Sequence, residues 1–477
     1  MDYDRRRFLT AGSALVCSSL FAPALGADST LPVHSQLAAS AQSIGRGKRL
    51  RLLLPEGSQG NVQPVADLFS RLTDVEIELQ TVPVDSIVTN MLLARGASEV
   101  NYDIALPATF GVPELVESGT LQPLDEFRRR HEPAIIPEGA LYTQGDRYDS
   151  RFYGYQTDGD VYLMFYNQQF LAAADQARYE DATGEAFALP RTWEELDAQV
   201  HFFHAPESGR YGGLLFRTPD YLVWEFWLRL HAKGVLPLAN DLSSNLVSDA
   251  AVRSLEEMIE VTPALHPSCF SNGLVDNWET YAEGDIYANI GWGGSQKHFN
   301  KPASKVRGKL LNTPTPGLKD KDSLVPVSYF NWGWNYTVPV ESAHPELAYL
   351  FMAFAVSPLP STVAVSDIDG FFDPFRIEHY QNPQIIASYG DEFLRAHREA
   401  MRHCIPDFYV QGQYRYFAEL RKYLSGAIDG KLSARTALLA ADRGWQAITD
   451  TLGEEKLARQ WQQLKANYPT QYLRHVA

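Results

Sequence analysis

The sequence predicts an α/β protein of two lobes, on three observations. The chain has 477 residues, more than the roughly 250 to 300 at which a single hydrophobic core stops growing. Its ordered part opens as a strand, a helix and a second strand. A strand–loop–helix–turn unit then recurs at residues 101–125. Alternation of this kind is the signature of open α/β sheets.

The amino terminus is read separately. Asp4-Arg5-Arg6-Arg7-Phe8-Leu9-Thr10 precedes the nearly uncharged stretch Ala11 to Phe21 and then Pro23-Ala24-Leu25-Gly26-Ala27. A basic start, an apolar stretch and a small-residue cleavage zone form a secretory signal over residues 1–26. The paired arginines before x-Phe-Leu are its twin-arginine variant. The stretch is short for a membrane span. Cys17 follows Ala14-Leu15-Val16 rather than a small residue, which argues against a lipid anchor. Residues 27–47, rich in Ala and Ser, are expected to be a mobile leader.

Lys48 to Leu54 reads as the first strand, closed by a loop from Pro55 to Asn61. The next helix carries Val65, Leu68, Phe69 and Leu72 on one face, and Val75 to Leu79 alternates as a second strand. Tyr102 to Leu106 is an apolar run ended by Pro107, and Val112, Leu115 and Val116 mark a short helix stopped at Gly119. The loop leaving a strand's carboxyl end is where such sheets bind ligands, which puts Ala108, Thr109 and Phe110 on a mouth. Thr192 and Glu195 in Pro190-Arg191-Thr192-Trp193-Glu194-Glu195-Leu196 are spaced as a capping box, with Trp193 structural.

These segments resemble, in order, those of extracellular solute-binding proteins of family 1, the receptors of ABC importers. The resemblance rests on residues 102–125, on Gly154 to Asn167, on Pro190 to Leu196, on Asn277 to Trp292, on Asn331 to Pro339, on Pro345 to Phe354 and on Leu424 to Trp445. The proline usual near the start of the first crossing is missing. The resemblance implies a two-lobed type II periplasmic binding protein fold with a ligand cleft and three hinge crossings near 154–160, 335–340 and 367–373. It further implies an amino-terminal lobe of 48–157 with 336–368, and a carboxyl-terminal lobe of 158–335 with 369–477.

Other chemistry finds little support. Gly293-Gly294-Ser295-Gln296-Lys297 lacks the last glycine of a nucleophile elbow. His201 with His204, and His397 with His403, do not form a zinc motif and read as surface or satisfied histidines. No phosphate-cradling Gly-Lys-Ser/Thr occurs. The net charge is −16, and residues 1–26 hold two Asp and three Arg, so the remainder is near −17. That surface argues against nucleic acid and anionic lipid. Neither a cofactor nor a metal is expected, and no catalytic residue is assigned. Cys269 and Cys404 are left as either a disulfide or two buried thiols.

Aromatic residues near loops stand out instead. Trp292 and Trp332 fall at strand-to-loop transitions that the family turns toward its cleft, whereas Trp224, Trp227 and Trp334 suit either core or cleft. Sugars present C–H faces to aromatic planes and hydroxyls to polar groups. The expected ligand residues are Gln59, Asn61, Phe110, Asp158, Asp160, Trp224, Trp292, Gly293, Trp332 and Tyr409. The expected function is periplasmic capture of a sugar, oligosaccharide or polyol by a monomer, through hinge closure, for delivery to an ABC permease. Two alternatives stay open. One is a polyamine or other organic cation held by Asp158, Asp160, Glu225 and aromatic rings, and the other is a periplasmic carbohydrate hydrolase or lyase.

Overall fold

Two open sheets, each completed by a strand that arrives from the other, organise the molecule. The computed structural model describes residues 31–476 apart from 322 and 332. The signal at 1–26, the start of the leader and Trp332 therefore lie outside the described residues.

The strands that build these sheets are β1 (Arg49–Pro55), β2 (Glu76–Val82), β3 (Ile104–Ala105), β4 (Gly154–Gln156), β5 (Leu163–Asn167), β6 (Tyr211–Leu214), β7 (Ile286–Gly291), β8 (Leu310–Pro314) and β9 (Asn335–Thr337). The first sheet has the order β2-β1-β3-β9-β4 and the second β8-β5-β7-β6. β1 pairs in parallel with β2 and β3, while β9 lies antiparallel to both β3 and β4. In the second sheet β5 runs against β7 and β8, and β6 is parallel to β7. The antiparallel strands are the two that follow a crossing, since a strand entering from the opposite lobe runs toward its own sheet from the cleft side. This is the expected α/β, two-lobed type II arrangement.

The chain passes between the sheets at 157–162, 330–334 and 367–376. The first two crossings are shifted from the expected 154–160 and 335–340, because Asn335 to Thr337 pair with Gln156 to Gly154 as strands. The strand expected over Tyr102 to Leu106 keeps only its centre as β3, though Asp103 N and Leu106 N still donate to Arg51 O and Leu53 O of β1.

Residues 33–45 correct the expectation of a mobile leader. They form α1 (Val33–Gly45), whose Leu37, Ala38 and Ala41 are buried. Alanine is the strongest helix former, and the partner that buries this face is remote in sequence: a Cβ on Gly45 would stand 2.7 Å from Leu347 Cδ2. α2 (Gln59–Thr73) starts inside the predicted loop. Its inward face is Val62, Val65, Ala66 and Phe69, leaving Leu68 half-buried and Leu72 40% exposed. Thr192 caps α3 (Trp193–Phe203) as expected, its side chain accepting from Glu195 N at 3.2 Å, while Glu195 reaches back to accept from Arg191 N. Trp193 is buried beneath the Arg229 guanidinium, 4.2 Å from the ring centroid.

Arg229 belongs to α4 (Pro219–Ala232), which is buried along nearly its whole length. Trp227 on this helix packs on Phe408 and Phe417, which seats the carboxyl-terminal helices against α4. Cys269 and Cys404 are both buried, free thiols. No single helix among the described residues is long and apolar enough to cross a membrane.

Candidate functional site

The three crossings meet at one place, tied by side chains. On the first, Asp158 Oδ1 accepts from Asp373 N of the third at 2.6 Å. Asp160 Oδ2 accepts from Gly333 N of the second at 3.3 Å. Gln156 Nε2 donates to Asp158 O and Trp334 O, and His397 Nε2 lies 2.9 Å from Gly159 O. α5 (Leu274–Ala282) and the strand end of β7 lead to α6 (Gly293–Phe299), whose Lys297 Nζ donates to Asp367 O and Phe372 O on the third crossing. Backbone carbonyls and amides that a crossing cannot pair in a sheet are thereby satisfied by buried side chains.

Above this knot lies a small cavity of about 30 Å³. Each crossing contributes one described wall residue: Asp160, Trp334 and Phe371. The second lobe adds Leu274 and Trp278 of α5 with Trp292 and Gly294, and Val84 comes from the loop after β2. The wall is thus largely aromatic, with one ionisable side chain among its described residues. Trp292 packs 4.4 Å from the Tyr162 ring and donates from Nε1 to Asn331 Oδ1 at 3.0 Å.

The floor is acidic. Single oxygens of Asp158, Asp160 and Asp373 lie within 4.8 Å of one another, the only such group of potential metal ligands among the described residues. Burial, then the neighbouring carboxylates, push Asp158 and Asp160 well above the usual carboxylate range. Burial likewise raises Asp373, against the pull of Lys297. Lys297 itself is brought down to about 8 by burial, in spite of Asp373 and Asp158. A buried ammonium already faces the carboxylates, so charge balance here does not demand a metal.

The structure brings together four of the predicted residues. Asp160 and Trp292 line the cavity, Asp158 lies beneath it, and the backbone N–H of Gly293 bonds to Asp373. Asp158 and Asp160 are buried carboxylates rather than a solvated turn. Trp224 sits one layer behind, edge-on to Trp292 at 5.9 Å, and Phe110 reaches it across the cleft at 6.5 Å.

Three others lie elsewhere. Asn61 is fully buried, its amide accepting from Phe371 N at 2.9 Å and donating to Ala364 O at 2.8 Å, so it fastens the third crossing. Gln59 accepts from Gly57 N and lines a separate surface depression with Gln63 and Arg71. Tyr409 donates to Gly145 O at 3.1 Å and lines a groove with Tyr148 and Gln460. Glu225, expected to meet a cation, is taken by Arg217 at 2.7 Å and Arg229 at 2.9 Å. Burial alone would raise it, and the two guanidiniums hold it below its ordinary value.

Sequence reasoning missed Val84, Leu274, Trp278, Gly294, Phe371 and Asp373, and left Trp334 undecided. Phe371 and Asp373 fall within or at the end of the expected third crossing, and that position was the available signal. Trp278 had none beyond its residue type.

The model of the family described as bacterial extracellular solute-binding protein matches residues 56–358. The chain belongs to this family. A protein of this family is exported, in keeping with the extracellular place the description gives it. No curated protein matches the sequence at a significant level. Among solved structures, an ABC transporter solute-binding protein of Agrobacterium radiobacter K84 in complex with ribitol is 17% identical, with a TM-score of 0.70 over 84% of this chain and 99% of that one. One from Agrobacterium vitis S4 with D-mannitol is 14% identical, with a TM-score of 0.69 over 85% and 99%. A third, from Thermotoga lettingae TMO with alpha-D-tagatose, is 19% identical, with a TM-score of 0.69 over 84% and 99%. At these identities the likeness is one of fold.

Proposed function

We propose that this solute-binding protein captures a sugar or polyol between its lobes and hands it to an ABC permease, acting as a monomer and without catalysis. The observation that carries the reading is the cavity to which every crossing presents one side chain, Asp160, Trp334 and Phe371. A solute that touches all three reports on the hinge itself, so closure follows from contacts available only when the lobes meet. The aromatic rings offer faces for C–H stacking. The ribitol, D-mannitol and alpha-D-tagatose held by proteins of like fold support a solute of the sugar and polyol class.

The test is a thermal-shift screen of pentoses, hexoses and their alditols, followed by calorimetric titration and solution scattering of the hits. Saturable binding with a smaller radius of gyration and no chemical change in the solute is expected. Turnover of the solute, or tight binding with unchanged scattering, would overturn it.

Lobe limits of 48–157 with 336–368, and of 158–335 with 369–477, belong to the same proposal, as does export by the twin-arginine route. Replacing Arg5 and Arg6 together by Lys should leave precursor in the cytoplasm. Undiminished export of that variant would refute the route.

A further inference from the structure

The acidic group beneath the cavity is incompletely satisfied by its neighbours. Three carboxylates crowd the floor, and both Asp158 Oδ2 and Asp373 Oδ2 are shielded from water without a hydrogen-bond partner among the described residues. The ammonium nearby, Lys297, directs its hydrogen bonds to the carbonyls of Asp367 and Phe372. Asp160 is the carboxylate that opens onto the cavity, where Trp278, Trp292, Trp334 and Phe371 surround it. A carboxylate accepts equally well from a hydroxyl or an ammonium. Ring faces set around a carboxyl group discriminate, because a cation gains an electrostatic attraction to them that a neutral group lacks.

We propose that the solute carries a protonated amine, an amino sugar or amino polyol, whose ammonium bonds to Asp160 within the aromatic wall. This deepens the reading of solute capture in the same cavity and rests on it. Asp160 is then the residue that sets specificity.

Binding is linked to proton release. Around Asp160 stand Asp158 on its own crossing, Asp373 on the third, Lys297 on α6, Tyr389 at the end of α9 (the helix Pro383–Tyr389 when the helices Pro345–Ala355 and Pro358–Ser366 are counted as α7 and α8), and Tyr162 beside β5. Burial and the adjacent carboxylates favour the protonated form of Asp160 when no cation is present. An incoming ammonium favours the ionised form, so the carboxyl proton passes to buffer as the N–H···O bond forms. A neutral polyol releases none.

The experiment titrates the mature protein with matched pairs: glucosamine and glucose, galactosamine and galactose, N-methylglucamine and glucitol, each in phosphate and in Tris at pH about 7. At least one amine is expected to bind about tenfold or more tightly than its hydroxyl partner. Its apparent enthalpy should differ between the buffers by the amount a released proton requires. Asp160→Asn should cut the amine's advantage to about threefold or less, and Trp278→Ala should reduce it in a background that keeps Asp160. Hydroxyl members that bind as tightly as their amines would overturn the inference and leave sugar capture standing. Failure of every pair would overturn both.

Discussion

Replacing Gly293 by Ala tests whether the close fit between α6 and the third crossing holds the cleft together. A Cβ at this position would stand 2.5 Å from Asp373 Cγ and 2.6 Å from Oδ2, well inside van der Waals contact. The Asp373 carboxylate cannot simply swing away, since its Oδ1 lies 2.8 Å from the Tyr389 hydroxyl and its own N–H is held by Asp158. Overpacking of a buried site costs about 1 to 3 kcal/mol, and the hydrogen bond from Gly293 N that is lost adds about 1 kcal/mol. Alanine in place of glycine at a helix start returns up to about 1 kcal/mol, for a net loss of about 1 to 4 kcal/mol. Urea denaturation should show a lower midpoint with an unchanged slope, and solution scattering should show a wider separation of the lobes. Gly294→Ala is the milder comparison and should cost less, because its Cβ would meet Phe371 Cβ and Phe371 O at 3.2 Å, where the neighbour need give only a little. Wild-type stability and wild-type scattering in Gly293→Ala would refute the argument.

Trp292→Ala should cost about 3 to 5 kcal/mol in stability, because the ring is packed on Tyr162 and bonded to Asn331 as well as lining the cavity; a cost near zero in urea denaturation would show that the ring is not packed. Arg229→Ala strands Asp197, 2.7 Å from the guanidinium, and leaves Glu225 with Arg217 as its remaining guanidinium partner; it should destabilise by about 3 to 5 kcal/mol, read as a drop in the thermal midpoint. Asp146 lies buried beside the first crossing and accepts from Gln156 N at 2.6 Å; burial pushes it up to about 8. The folded state therefore keeps a proton there that the unfolded chain loses above about pH 4, so this site's stabilisation is complete below that pH and is lost as pH rises to about 8. Asp146→Asn should flatten the decline between those limits in denaturation curves taken across the range.

Features encoded by neighbouring residues were legible. The cap of Thr192 on Glu195 depends on three-residue spacing, and Trp292 was placed by a strand end followed by glycines. Asp158 and Asp160 were found because Gly154 to Asn167 resembles the family's first crossing between lobes. Features made by remote residues were not. Phe371 and Asp373 reach the cavity through an approach of crossings more than 200 residues apart, which no local pattern records. Asn61 misled for a physical reason: a polar side chain after a strand end suits a ligand or a backbone equally well, and here buried N–H groups of the third crossing needed an acceptor. The Ala-rich segment at 33–45 looked unstructured because the surface that buries it, around Leu347, comes 300 residues later.

The place of β9 in the first sheet carries a consequence for synthesis. β3 and β4 are joined only when Asn335 to Thr337 slot between them, whereas every strand of the second sheet lies between Leu163 and Pro314. A nascent chain emerging from the ribosome can therefore finish its later sheet before its earlier one. Until residue 337 is available, β3 and β4 present open edges, the kind of surface that invites pairing with other chains. The usual vectorial order, with the amino-terminal unit maturing first, is therefore expected to be inverted, with the insertion of β9, which closes so long a sequence separation, as the slow event in maturation.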